Sequence, residues 1–570
     1  MANAFERKVS SQGLTLKLYR GEGVCLLAFD LAAADATPDF VGFSIEVKYP
    51  DSNTFHALGN RLHFQYAPGA KPPFSSLEAP FQKFRWVHVP GRIKPGEFGY
   101  RVTAQYMRNG QLVKGAQVSA AISLESETIK NFVNVGFTRG FASSQAYADR
   151  FHNEAGILPP PASPAADNLT HDMAPFKKEY EWLGFEARKL VMQTLQEVED
   201  DPTLTLDALI YECKEPLILQ KFEAIGARMR AVIDDHGEQG DADSAETISA
   251  GRIVAAGGEV RRMHFSRRQH NKVLVIKRGG VPVKAIAGST NFSLRGLYIQ
   301  ANNVLLFSDP TVAKLFADVF DAYWDPAVKD AGRLFRKNPL SKTWWIARDK
   351  PASRVSFCFS PHAEADVELS LSPIASAIEE AQSSVLYAVV FLNQLTGQVR
   401  DALEELVQRS LFSYGVAQRT GGLTVNKPDG SKGVLPFAYL GEKAPEPFKS
   451  EWNGNTTERS NMVHHKFVVT DFNGARPMVF TGSSNMAAGG EKDNGDHLIC
   501  IEDRQIAIAY AIEALRMFDH FHFRVKTQEG DNKGQILTLA KPPQGKAKPW
   551  FAPYYRAGHV KERDRELFIS

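Results

Sequence analysis

The sequence predicts a multidomain protein, an N-terminal all-β sandwich followed by two copies of an α/β unit. Three observations carry that prediction. Residues from about 10 to 125 break into short apolar or alternating runs divided by turn-rich pieces. Beyond them the pattern changes to apolar runs alternating with helical spacing. Within this later region a polar motif, His-x-Lys followed by Gly-Ser-x-Asn, occurs twice.

In the N-terminal region, Leu14 to Tyr19, Val24 to Phe29, Val41 to Tyr49, Phe84 to Val89, Phe98 to Met107 and Val118 to Leu124 read as strands. Pieces such as Arg20-Gly21-Glu22-Gly23, Pro50-Asp51-Ser52-Asn53 and Arg108-Asn109-Gly110 supply the turns. About six or seven strands in this length suit an antiparallel sandwich of immunoglobulin or fibronectin type III kind. No Cys…Trp…Cys pattern supports a true immunoglobulin domain. It is read as a binding or docking module, or as an accessory packed on the rest.

Next come a strand at Phe132 to Phe137, an exposed loop at Pro159 to Ala166 and a helix at Glu179 to Val198. Leu206 to Tyr211 is a strand, Leu217 to Arg228 a helix and Met229 to Ile233 a strand. After the first motif, Asp309 to Trp324 forms an amphipathic helix. A second pass repeats this order: strands at Arg354 to Phe359 and Ser384 to Phe391, helices at Ser372 to Ala381 and Val399 to Ser410. Residues 413 to 462 form a long insertion, and after the second motif comes a helix at Arg504 to Phe518. The expected domains are 1–127 for the sandwich, 128–345 and 346–530 for the two copies, and 531–570 for a tail. That tail carries Trp550, Phe551, Tyr554 and Tyr555 and is expected to pack on the second copy, with lipid contact as the alternative.

Composition sets the bounds. A chain of 570 residues has a prior of about two to four domains. Lys and Arg number 67 against 65 Asp and Glu, a balance that speaks against a highly basic nucleic-acid binder. Cys25, Cys213, Cys358 and Cys500 are scattered and read as reduced core residues, not as a disulfide scaffold or zinc site. Neither a signal-peptide stretch nor a run of about 18 apolar residues occurs, so a cytoplasmic protein is expected, with signal-independent export left open.

The two motifs agree in detail. His270 and His464 each precede a Lys by two residues, a Gly by 18 and an Asn by 21. On a strand, alternate side chains share a face, so each His and its Lys point the same way and His465 points the other way. Two such sets suit one site at a pseudo-two-fold interface. A phosphodiester needs a nucleophile, an acid for the leaving oxygen and cations for the non-bridging oxygens. Two histidines, two lysines, two asparagine amides and two serine hydroxyls supply these without a metal or other cofactor.

The repeated HxK…GSxN pattern resembles the phospholipase D superfamily, over about 400 residues from near 128 to 530. The resemblance implies two α/β repeats forming one catalytic unit, a phosphohistidine intermediate on one histidine and acid–base work by the other. It assigns His270, Lys272 and Asn291 to one half-site and His464, Lys466 and Asn485 to the other, with Ser289 and Ser483 on the substrate phosphate. His270 is expected as nucleophile and His464 as acid and base. No partner chain is needed to complete the site.

The first copy departs from the pattern. Lys277 stands where the second copy has Asp471, and Asn302 where it has Asp496. Asp471 and Asp496 are expected to support the histidine of their own copy, which leaves His270 without acidic support. Hydrolysis of a phospholipid headgroup ester, or its transfer to an alcohol, is the expected reaction, with peripheral membrane contact. A nuclease is the alternative, for which Arg261, Arg262, Arg267 and Arg268 would guide the polyanion, unless they form only a solvated loop. A degenerate, non-catalytic binding protein is the third reading.

Overall fold

The computed structural model describes residues 5–124, 127–160, 163–325, 334–418, 434–436, 444–451 and 462–570. They divide into two units, Met1–Ser126 with His522–Ser570, and Glu127–Phe521. Among the described residues, no helix is long and apolar enough to cross a membrane.

The first unit contains two four-stranded antiparallel sheets. One has the order Glu6–Ser11, Leu14–Arg20, Cys25–Leu31, Arg85–His88; the other has Gln111–Ser123, Glu97–Arg108, Phe40–Lys48, His56–Ala57. Both turn apolar side chains onto one core that includes Leu16, Phe29, Phe43, Tyr100 and Val102. The tail corrects the expectation. Phe551 belongs to this core, with Trp550, Tyr554 and Tyr555 packed against it. Trp550 Nε1 donates to the Phe40 carbonyl at 3.0 Å and Tyr555 Oη to the Leu31 carbonyl at 2.7 Å. The physical reason is aromatic packing: the Phe40 and Phe84 rings meet Phe551 at 5.5 Å and Tyr554 at 4.6 Å. A helix, Val560–Ile569, follows.

The second unit contains two mixed sheets with one topology. The first runs Val133–Phe137, Asn303–Phe307, Val281–Gly288, Lys272–Arg278, Leu204–Ile210, Met229–Ile233, Glu259–Arg262. The second runs Ser353–Phe359, His497–Asp503, Met478–Gly482, Lys466–Thr470, Ser384–Val389, Phe412–Ala417, Val434–Pro436, with Trp345–Lys350 added at the edge beside Ser353–Phe359. In each, the last three strands are parallel and the others antiparallel. Each copy's final helix lies against the other copy. Phe316 of Pro310–Trp324 meets Phe357 and His497, and Tyr510 of Arg504–Asn532 meets Phe137.

Local chemistry explains the helix starts. Pro310 opens its helix while the Asp309 carboxylate accepts from the N–H groups of Thr311 and Val312. Pro216–Ile225 begins the same way behind Glu215. The helix Ala245–Ala255, capped by Ser244, is an element the periodicity did not show. The helix Arg504–Asn532 runs well past the expected Phe518. The expected insertion at 413–462 lies largely outside the described residues, which include only its strand ends and the short helix Phe448–Glu451.

Candidate active site

The strand ends bring the two motifs together. Parallel bridges link Gln269 with Gly495 and Ala301 with Val463, each joining one copy to the other. His270 N–H donates to the Gly495 carbonyl at 2.8 Å, and His464 N–H to the Ala301 carbonyl at 3.2 Å. A single offset of 194 residues relates all four positions. The glycine of each motif is needed for its backbone, because Gly288 has φ 137° and Gly482 φ 140°. A Cβ on Gly288 would stand 2.6 Å from the Asn303 carbonyl oxygen, and the second copy is as tight.

The crossing reverses the expected acidic support. Asp496 Oδ1 accepts from His270 Nδ1 at 2.7 Å, so the second copy's carboxylate serves the first copy's histidine. Asn302 Oδ1 accepts from His464 Nδ1 at 2.8 Å. Asn302 Nδ2 donates to the Gly296 carbonyl at 2.9 Å, which assigns its oxygen to the imidazole. The physical reason is the bridge at Gln269–Gly495, which sets residue 496 beside residue 270 rather than beside 464.

Two further expectations are corrected. The Ser289 hydroxyl donates to Asn302 Oδ1 at 2.8 Å and the Ser483 hydroxyl to Asp496 Oδ1 at 2.6 Å. Both serines are fully buried, and each also accepts a backbone N–H, from Asn303 and His497 respectively, at 3.0 Å. Their hydrogens are committed to the residues behind the histidines, not to a substrate phosphate. Asp471 lies at the far end of its strand, where its carboxylate accepts from the N–H groups of Gln382, Ser383 and Ser384. It caps a loop and does not support a histidine. Its counterpart, Lys277, forms an ion pair with Asp207.

Both histidines are nearly enclosed, His270 at 4% exposure and His464 at 6%. Lys272, Lys466 and Asn291 are buried and Asn485 is half-buried. The amide oxygens of Asn291 and Asn485 are buried without a hydrogen-bond partner. Lys466 Nζ sits against His464, 3.4 Å from Nδ1 and 3.3 Å from Nε2. Burial and Lys272 pull the His270 imidazole down to about 4, against the Asp496 carboxylate. Burial, Lys466, Lys272 and His270 together push His464 well below the usual imidazole range. Burial alone would raise the Asp496 carboxyl, but His270, Lys272 and Ser483 outweigh it and hold it at about 2. Each lysine thus acts on both histidines, as expected of one site.

The sequence reading missed a second set of crossed pairs. His497 Nδ1 donates to Asn271 Oδ1 at 2.7 Å, and Asn303 Nδ2 lies 3.4 Å from His465 Nδ1. The offset held the clue, since 271 and 303 are Asn where 465 and 497 are His. His465 does face away, toward Glu513 at 3.1 Å. The arginine cluster is divided. Arg262 donates to the carbonyls of Asp234 and Gln239, Arg261 to that of Asp325, and Arg267 stands 3.9 Å from Asp493.

Residues 216–324, which include the first motif, match the family described as "Cardiolipin synthase, PLD-like domain". The chain carries a phospholipase D-like domain. No curated protein matches it. Among solved structures it is similar to phosphatidylserine synthase of Haemophilus influenzae, at 12% identity and TM-score 0.39 over 66% of this chain and 90% of that one. It is similar to polyphosphate kinase of Porphyromonas gingivalis, at 13% and 0.35 over 56% of this chain; the match spans 46% of that longer protein. Yeast tyrosyl-DNA phosphodiesterase is similar at 11% and 0.30, over 53% of this chain and 83% of its own.

Proposed function

We propose that this phospholipase D-like unit is a phosphodiesterase working through a phosphohistidine, without a metal. The reading rests on one observation above others: both histidines have Nδ1 bound to an oxygen from the opposite copy. That bond leaves Nε2 of each ring as the reacting nitrogen.

In the first step the His270 Nε2 lone pair attacks phosphorus. The bond from phosphorus to the leaving oxygen breaks, and that oxygen takes the Nε2 proton of His464. Water then attacks phosphorus and gives a proton to His464, and the P–N bond breaks to restore His270. His270 is assigned the attack because its Nδ1–H faces a carboxylate, which raises the nucleophilicity of Nε2 and stabilises the charge it acquires. An anionic phosphate between the rings offsets the lysine charges that depress His464 and lets it carry its proton. Lys272, Lys466 and the side chains of Asn291 and Asn485 are assigned to the non-bridging oxygens.

The substrate reading is a phospholipid headgroup ester, supported by the cardiolipin synthase description of the matching family. Incubation with EDTA and liposomes of mixed headgroups, in parallel with single- and double-stranded DNA, tests it. Headgroup release is expected; DNA cleavage without headgroup release would turn the assignment to a nuclease. His270→Ala and His464→Ala are each expected to abolish turnover, and full activity in either would refute the shared site.

A further inference from the structure

We propose that Tyr211 is a positioning residue that makes the two half-sites unequal, holding Lys272 and the His270 ring for phosphoryl attack. The proposal rests on the phosphodiesterase reading above and deepens it. Sheet register supplies the first observation. Ile210 pairs with Lys272 in the first copy and Val389 with Lys466 in the second, so the next residues, Tyr211 and Val390, occupy equivalent positions. Both are buried, yet one half-site has an aromatic ring there and the other an aliphatic side chain.

The ring touches the machinery on two sides. Lys272 Nζ stands 4.6 Å from its centroid, within cation–π range, and the Arg268 guanidinium stands at 5.4 Å. The His270 ring meets it at 4.8 Å with an interplanar angle of 68°, an edge-to-face contact. Lys272 Nζ donates one hydrogen to the His270 carbonyl; a π face attracts the ammonium without using its N–H groups, so it does not compete with a phosphate for the others. The edge contact restrains rotation of the imidazole, whose Nδ1 is already tied to Asp496. His270 is therefore fixed by a carboxylate and a ring. Across the interface His464 has an amide, and Val390 offers its lysine no π face.

The test is the pre-steady-state release of nitrophenolate from bis(p-nitrophenyl) phosphate by the full chain. Tyr211→Leu is expected to slow the burst about thirtyfold, the size of a desolvated cation–π contact, with KM changed little. Tyr211→Phe, which keeps the ring, is expected to restore the burst to within about twofold of the parent. If Tyr211→Leu does not fold, Tyr211→Met carries the same expectation. An unslowed burst in the Leu or Met variant overturns the proposal, as does a Phe variant as slow as Leu, which would assign the effect to the hydroxyl. A parent protein that releases no nitrophenolate overturns the phosphodiesterase reading and the proposal with it.

Discussion

Asp496 holds His270 across 226 residues of chain and across the boundary between the two copies, at 2.7 Å. The copy that looked better preserved therefore lends its carboxylate to the one that looked degenerate. Asn302, the apparent loss in the first copy, is felt by His464 in the second.

Asp496→Asn should slow phosphoenzyme formation about 10- to 100-fold, the usual cost of losing the carboxylate behind an active imidazole. Labelling from a ³²P-substrate, followed by rapid quench, measures it. Labelling at the parent rate would remove the carboxylate from the mechanism.

Asn302→Asp makes the two arms alike. A carboxylate facing the His464 Nδ1–H raises that imidazole's affinity for a proton, so the alkaline limb of kcat should move to higher pH. The Gly296 carbonyl loses its donor in this variant, at a cost of about 1 kcal/mol. A pH–rate profile of parent and variant reads the shift, and an unmoved limb would count against His464 as the acid.

His270 must be neutral to attack, and burial with Lys272 draws its pKa down to about 4. The acid limb of kcat/KM should lie near pH 4, and kcat/KM should decline toward neutral pH as the depressed His464 loses the proton it has to donate. An acid limb centred near an ordinary imidazole value, about 6.5, would mean that a group other than His270 is titrating.

Ser483→Ala should lower kcat about tenfold and leave KM almost unchanged, because the hydroxyl braces Asp496 rather than substrate. Steady-state kinetics decide between this and the phosphate-binding role first expected, which would raise KM.

Asp471→Ala should cost about 1–3 kcal/mol of stability, since three backbone N–H groups lose their acceptor. Urea unfolding measures the loss. Specific activity of the folded variant should match the parent, whereas a motif role at His464 would abolish it.

What the sequence made legible and what it hid have a common physical source. A strand repeats every second residue and a hairpin has fixed length, so the spacings around His270 and His464 survive as plain offsets along the chain. The two-layer order of strands and helices was legible for the same reason. Pairing between copies depends on which strand ends meet, and nothing near residue 270 announces the bridge from Gln269 to Gly495. Asp471 misled because a motif position was taken for proximity; five residues along a strand carry it about 17 Å from Lys466. Tyr211 was hidden until register set it beside Lys272. The tail was misplaced because its neighbour in sequence is the second copy, whereas its neighbours in space are the aromatic rings of Phe40 and Phe84.

That tail has a consequence for synthesis on the ribosome. The sandwich strands are made before the tail, but their core includes Phe551, and Trp550 Nε1 donates to the Phe40 carbonyl. The sandwich is thus sealed only after Glu127–Phe521 has been translated, and its aromatic rings wait until then. Contacts spanning some 500 residues in sequence form late and slowly. A nascent chain stalled before residue 550 should bind a hydrophobic dye or a chaperone through that open face, and release it once the tail is made.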